Sequence, residues 1–154
     1  MILRFKIWKY RITLTCAPVV AVVGANSNIG KDQHILMWDF DGVPLRKVKK
    51  ALASTQFCYH LPEIKVFKTS QGKNYQAWCY KKVSWRIAKA IVAVTVHVDE
   101  GFFRFGVFRE HFTLRTSQKL GHTPKLVATL PSDVKPDCNE FDLMSWTKYE
   151  TLQR

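Results

Sequence analysis

The sequence has little that could supply a covalent or metal-bound framework. Its four cysteines are Cys16, Cys58, Cys79 and Cys138, and no two of them form a CxxC pair. Its five histidines form neither H-x-H nor H-E-x-x-H; they are His34, His60, His97, His111 and His122. This spacing argues against a disulfide framework and a zinc knuckle. It also argues against a rolling-circle type of nuclease, which needs a His-hydrophobic-His metal site.

Long apolar runs are missing as well. No stretch approaches the ~18 consecutive apolar residues that would span a bilayer. The N-terminal segment MILRFKIWKYRITLTC interrupts its apolar residues with four cations, Arg4, Lys6, Lys9 and Arg11. A signal peptide requires an unbroken apolar stretch. We therefore expect a cytoplasmic protein that has no membrane partner.

Acidic residues are few: 12 stand against 24 lysines and arginines, a formal net charge of +12. Such an excess predicts polyanionic partners, of which nucleic acid is the usual one. The alternative is that the basic charge only keeps the protein soluble. Because 47% of the 154 residues are hydrophobic, disorder is not expected, and the length suits one domain over residues 1–154.

The first half of the chain predicts strands followed by a helix. Alternating apolar residues over the first 23 positions predict a strand, with a bulge or break where the alternation slips at Ile7–Trp8. Residues 34–40, HILMWDF, are almost wholly apolar and predict a central strand. Pro44 is a suitable helix start. The apolar stripe of that helix is Leu45, Val48, Leu52 and Tyr59.

The second half predicts a hairpin, a second helix and further strands. Residues 63–68 and 74–80 form the hairpin, joined by the turn TSQGK at 69–73. Residues 84–96 form the helix, capped by Ser84. Residues 111–117 and 125–130 are interpreted as a strand pair, and a short helix is expected across 139–152. The predicted class is α+β, a mixed or antiparallel sheet with helices packed on one face. One compact domain is expected, with two small subdomains around a cleft as the alternative.

Two acids, Asp39 and Asp41, end the apolar strand just before Gly42. Residues two apart on a strand point to the same face, so the two carboxylates would project together and repel each other. A divalent cation such as Mg²⁺ or Mn²⁺ would relieve that repulsion. Asp99, in the apolar context VTVHVDEGFF, is the candidate third ligand. The alternative is a solvated strand end that leads into a turn.

The same acid pair is also similar to the nucleophile motif of haloacid-dehalogenase-type phosphatases. That resemblance implies a phosphorylated Asp39, with Asp41 as the acid-base. Other elements that such an enzyme needs are present as well: the KTS segment at 68–70, Lys119, and the pair Asp133 and Asp137. The acid pair alone therefore leaves the reaction type open.

Residues 99–121, DEGFFRFGVFREHFTLRTSQKLG, resemble the third motif region of the archaeo-eukaryotic primase superfamily, especially its primase-polymerases. The matching positions, in order, are Asp99, Gly101, Phe103, Arg109, Phe112, Leu114, Arg115, Ser117, Lys119 and Gly121. The strand end with Asp39 and Asp41 matches the first motif, and TSQGKNYQAW at 69–78 matches the second. The resemblance covers about residues 34–130 and leaves 131–154 as a C-terminal tail.

The resemblance implies an RRM-like sheet and two-metal nucleotidyl transfer of the DNA primase or polymerase type. Asp39, Asp41 and Asp99 would be catalytic and hold Mg²⁺ or Mn²⁺. The implied nucleotide-binding residues are Ser70, Lys73, Gln76, Arg115, Ser117 and Lys119. Where the family has a His, this chain has Gln76, which carries no charge for an anion; Lys73 would supply it. That departure favours, as an alternative, a non-catalytic nucleic-acid-binding replication protein on the same scaffold.

The implied partners are a DNA template and primer, nucleoside triphosphates, and a separate helicase or replication protein, in a prokaryotic, plasmid or viral replication context. Exposed cations would neutralise template phosphates; the candidates are Lys47, Lys49, Lys50, Lys81, Lys82 and Arg86. Trp78 and Phe105 are candidates for stacking on bases. The alternatives are that the cations form solvated faces and that the aromatics belong to the core.

Overall fold

The computed structural model describes residues 2–15, 19–119 and 121–151. Those residues form nine strands: β1 Ile2–Ile7, β2 Tyr10–Thr15, β3 Val19–Asn26, β4 Gln33–Phe40, β5 Ile64–Lys68, β6 Tyr75–Ser84, β7 Thr113–Arg115, β8 Lys125–Leu130 and β9 Ser145–Thr151. They also form three α-helices, α1 Leu45–Tyr59, α2 Trp85–Val94 and α3 Glu100–Arg109, and a 3₁₀ turn at Glu140–Asp142.

The main sheet has four strands in the order β4-β6-β5-β8, all antiparallel to their neighbours. Because β4 and β5 both pair with β6, they run parallel to each other and α1 connects them. This is the split βαβ unit of an RRM-like sheet. The predicted α+β class, with an antiparallel sheet and helices packed on it, is confirmed.

The strand β4 lies at an edge of this sheet, so its predicted central position is wrong. Its residues are nevertheless buried from His34 to Trp38, because the helices cover one face and a second sheet covers the other. That second sheet has the order β7-β3-β9. A continuous apolar run therefore reports burial on both faces and does not report strand position.

Two other predictions are wrong, that of a strand pair and that of a C-terminal helix. The segments 111–117 and 125–130 do not pair: β7 pairs with β3, and β8 pairs with β5. The slip at Ile7–Trp8 is a break, one of the two predicted possibilities: β1 ends at Ile7, and the turn of the hairpin β1-β2 follows, where Trp8 has a φ of 52°. No α-helix forms across 139–152: the part that the structure describes, 139–151, forms the 3₁₀ turn and then β9.

The helices α1 and α2 begin where the sequence predicts, after Pro44 and Ser84. Val48 and Leu52 are buried as expected, but Tyr59 is 41% exposed and Thr55 takes the buried position near the end of α1. Among the described residues, none of the helices is sufficiently long and apolar to cross a membrane.

A buried polar network joins α1, α2 and β4. The indole N–H of Trp38 donates to the Oγ1 of Thr95 at 3.0 Å, and that hydroxyl lies 3.0 Å from the Oγ1 of Thr55. Thr95 in turn donates to the carbonyl of Ile91 at 2.8 Å. The network holds the end of α2, and so the start of the segment that leads to Asp99, against β4.

Replacing Thr95 by Val is expected to lower the free energy of unfolding by about 1–3 kcal/mol, because the buried indole N–H of Trp38 loses its acceptor. Urea unfolding checks this, with the exposed Thr129→Val as the matched control. Equal stability of the two variants would contradict the prediction.

Candidate active site

The acid pair lies where β4 ends. Asp39 is directly opposite Gln76 of β6, so their side chains share one face of the sheet, whereas Trp38 points to the helix-covered face. Asp41 follows the strand and precedes Gly42, whose φ of 71° suits glycine. The amide of Gly42 donates to the Oδ1 of Asn74 at 3.0 Å. The β5–β6 turn thus fixes the loop after the acids.

Asp99, which is 60 residues further along the chain, returns to the same place. Its backbone N–H donates to the carbonyl of Asp39 at 2.8 Å. His97, with a left-handed φ of 69°, reverses the chain between α2 and α3 and so delivers Asp99 to the end of β4. The structure therefore brings together the three acids that the sequence singled out.

Burial and mutual repulsion perturb the titration of the acids. Burial, followed by the charges of Asp41 and Asp99, raises the pKa of Asp39 from 3.8 to about 7. A backbone hydrogen bond from Phe40 and the charge of Arg115 only partly offset this. Burial, followed by the charge of Asp99, also raises the pKa of Asp41. The site thus concentrates negative charge that the protein itself does not neutralise.

The donor set fits a hard divalent cation in part. Mg²⁺ is commonly held by one or two carboxylates together with water and substrate phosphates, which Asp39 and Asp41 could provide. The Oδ1 of Asp99, however, accepts from the backbone N–H of Phe102 at 2.6 Å and caps α3. Within 2–15, 19–119 and 121–151, no three His, Cys, Asp or Glu side chains are arranged to hold a metal ion.

Gln76 carries a buried oxygen that has no donor. The side chain is 6% exposed, and its Oε1 makes no hydrogen bond within the described part of the chain. Buried polar atoms are normally satisfied, so an unpaired one at a candidate site calls for an explanation. A donor on a ligand, or an ordered water, would satisfy it beside Asp39.

Arg115 supplies positive charge on the same side of the sheet as Asp39. Its guanidinium donates to the carbonyls of Thr69 at 3.0 Å, Ser117 at 2.6 Å and His122 at 2.9 Å. These carbonyls fix the orientation of the guanidinium while its charge still acts on Asp39. Thr69 and His122 were not anticipated, because nothing in their local sequence marks them as partners of an arginine.

The remaining predicted nucleotide-binding residues are more scattered. Ser117 accepts from the backbone N–H of Val23 at 2.8 Å, so its hydroxyl is engaged with β3. Ser70 lies in the β5–β6 turn and accepts from the N–H of Gly72 at 3.2 Å. Lys73 is exposed in that turn, and its carbonyl accepts from Val43 beside the acids. Lys119 forms a backbone bridge with His122.

A cavity of about 320 Å³ separates the two larger sheets next to Arg115. Phe67, Trp78 and Tyr80 line it from the main sheet, and Arg115 and Glu140 line it from outside that sheet. Trp78 is only 6% exposed, so the prediction that it is an exposed stacking residue is wrong; Phe105 is 62% exposed. Side chains alternate between the two faces along β6, so Trp78 lies on the same face of the sheet as Gln76.

The predicted template cations lie on three elements, α1, β6 and α2. Lys47, Lys49 and Lys50 are exposed on α1. Lys81 forms an ion pair with Asp137 at 3.1 Å, and the backbone N–H of Lys82 donates to the same carboxylate. Arg86 is exposed in the first turn of α2.

No protein-family model matches this chain, and comparison with curated proteins and with solved structures likewise finds no match.

Proposed function

We propose that this protein catalyses template-directed nucleotidyl transfer of the DNA primase or polymerase type, with Mg²⁺ or Mn²⁺ as cofactor. The observation that carries the proposal is the meeting of Asp39, Asp41 and Asp99 at the end of β4, where burial and mutual repulsion raise the pKa of Asp39 to about 7. Carboxylates that repel one another destabilise the fold, and carboxylates with a perturbed pKa mark candidate functional sites.

Asp39 and Asp41 would hold the cation, since their side chains are not committed to a helix cap. When bound, the cation supplies the positive charge that stabilises the leaving pyrophosphate. Asp99 would keep α3 against the end of β4 and add negative charge that strengthens cation binding.

Arg115 would face the triphosphate of the incoming nucleotide, because its charge already acts at Asp39 and three carbonyls hold its guanidinium in place. Gln76 would accept a hydrogen bond from the nucleotide through its unpaired Oε1. Gln76 is neutral, unlike a protonated histidine. The positive charge that faces the phosphates would therefore come from Arg115 and from the nearby Lys73.

Primer synthesis and primer extension with labelled nucleotides test the proposal. We expect product from the wild type with Mg²⁺ or Mn²⁺ and none after chelation. The Asp39→Ala/Asp41→Ala variant is expected to lose more than about 100-fold of the rate, because loss of the partners that merely support metal ligands already costs 10–100-fold. Asp133→Ala, an exposed acid elsewhere, is the control. Metal-independent product, or equal product from the double variant, would contradict the proposal.

A second candidate is a non-catalytic nucleic-acid-binding protein on the same scaffold. The engagement of Asp99 as the cap of α3 and the neutral Gln76 opposite Asp39 favour it. It predicts salt-sensitive DNA binding that does not depend on Mg²⁺ and persists in the Asp39→Ala/Asp41→Ala variant.

Measuring phosphate release from a phosphate ester with the same variants tests the phosphatase alternative, in which Asp39 is the nucleophile.

A further inference from the structure

A second concavity, of about 570 Å³, lies beside the first half of α1. Arg46, Lys47, Lys50 and Ser54 line it from α1, and Val96 and His97 line it from the segment between α2 and α3. Three permanent cations, a titratable imidazole and a hydroxyl therefore face one open space. Among the residues whose side chains the structure describes, no aromatic ring other than the imidazole lines it, so these residues offer cationic groups and no platform for stacking bases.

The cations of this concavity form no ion pair with any acid that the structure describes. In the part of the chain that the structure describes, the ion pairs are those of Lys65, Lys81 and Arg104, and none involves Arg46, Lys47 or Lys50. The first turn of α1 contains no acid. Arg46 and Lys50 are four residues apart, a spacing at which like charges destabilise a helix. An anion bound between them would remove that repulsion.

The concavity adjoins the candidate active site. His97 precedes Asp99 by two residues, so their Cα atoms lie within about 7 Å of each other. Arg46 follows Asp41 by five residues, across the loop that Asn74 holds. Arg115 acts on Asp39 from the face of the main sheet that is opposite the concavity, since β7 belongs to the second sheet, whereas α1 and α2 cover the face to which Trp38 points.

We propose that this concavity binds the phosphodiester groups of a nucleic-acid strand and guides that strand to the three acids. The inference rests on the proposed function and deepens it by assigning the strand to the α1 side and the nucleotide to the Arg115 side. Open shape, unpaired cations and the absence of a base platform suit phosphates that are read without sequence preference.

Binding of a fluorescently labelled single-stranded DNA oligonucleotide, measured by anisotropy over a range of salt concentrations, tests the assignment. The variant Arg46→Gln/Lys50→Gln removes two lining cations. The charge-matched control is Lys125→Gln/Lys135→Gln, two exposed lysines that do not line the concavity. We expect affinity to fall about fivefold or more in the first variant, and the slope of log K against log salt to fall by about 1.4. The control should show clearly smaller changes.

A second arm separates strand phosphates from the triphosphate of a free nucleotide. Binding of a fluorescent nucleoside triphosphate with Mg²⁺ is expected to be unchanged in Arg46→Gln/Lys50→Gln. Equal loss of oligonucleotide binding in the variant and the control would overturn the proposal, and loss of triphosphate binding without loss of strand binding would reassign the concavity to the nucleotide. Circular dichroism and thermal melting verify folding, and Lys47→Gln repeats the test with a single exposed change.

The strand assignment and the proposed catalysis fail separately. If the Asp39→Ala/Asp41→Ala variant and the wild type both make no product, but the Arg46→Gln/Lys50→Gln variant still loses strand binding selectively, the concavity stands and the catalytic proposal falls. If the wild type forms product and the Arg46→Gln/Lys50→Gln variant binds the strand as the wild type does, the catalytic proposal stands and the strand assignment falls.

Discussion

Replacing Asp39 by Asn is expected to make the protein more stable above pH 7 and, at the same time, to abolish nucleotide incorporation. The ordinary pKa of this carboxyl is 3.8, and burial with the charges of Asp41 and Asp99 raises it to about 7. The folded protein therefore holds a proton that the unfolded chain has lost between about pH 4 and pH 7. Stability falls as the pH rises through that window and then stays at its lower level.

The raised pKa corresponds to a penalty on the order of 4 kcal/mol at pH 8, since it rises from 3.8 to about 7 and each pKa unit is worth about 1.4 kcal/mol. Asn at position 39 removes the charge, and its amide N–H₂ can donate to the unpaired Oε1 of Gln76 opposite. Urea unfolding at pH 5 and pH 8 measures the effect. The gain should be large at pH 8 and much smaller at pH 5, and the exposed Asp133→Asn should show neither.

A divalent cation should stabilise the wild type at pH 8, as the substitution Asp39→Asn does. We expect Mg²⁺ to raise the melting temperature of the wild type at pH 8, because binding to the folded state neutralises the ionised pair. Asp39→Asn should respond much less. An Asp39→Asn variant that is no more stable than the wild type at pH 8 would show that ionised Asp39 does not destabilise the folded protein.

Replacing Gly106 by Ala is expected to lower the free energy of unfolding by about 2–3 kcal/mol, although alanine favours helix by about 1 kcal/mol over glycine. A Cβ at position 106 would overlap the ring of Phe112, which is fully buried. That ring cannot move aside easily because it packs against Trp85, Phe102 and Phe103. The absence of a side chain at Gly106 thus lets α3 lie directly against the ring of Phe112.

Thermal and urea unfolding check the second prediction. A chain of this length should lose roughly 5–10 °C in melting temperature. The double variant Gly106→Ala/Phe112→Leu should recover part of the loss, because the smaller side chain makes room for the new methyl group. Failure of Phe112→Leu to improve Gly106→Ala at all would contradict the steric explanation. Since α3 begins at Asp99, Gly106→Ala should also reduce incorporation by moving the third acid.

Local sequence patterns predicted much of this fold. The apolar run before Asp39, the helix start at Pro44 and the hairpin around 69–73 were readable because each depends on neighbouring residues. The helix α3 was not anticipated, since two glycines weaken its propensity. It forms because Asp99 caps it and because Phe102 and Phe103 pack on Phe112, which is contact information.

The sequence alone determined that two carboxylates share one strand face, because alternation along a strand is a property of the backbone. It also determined the basic charge of the chain. Only the tertiary structure decided that Asp99 lies against Asp39, that Gln76 is left with an unpaired oxygen, and that the cations of α1 line a concavity beside the acids. Those features depend on which strands pair and where helices end in space, and such long-range contacts leave no periodic pattern in the chain.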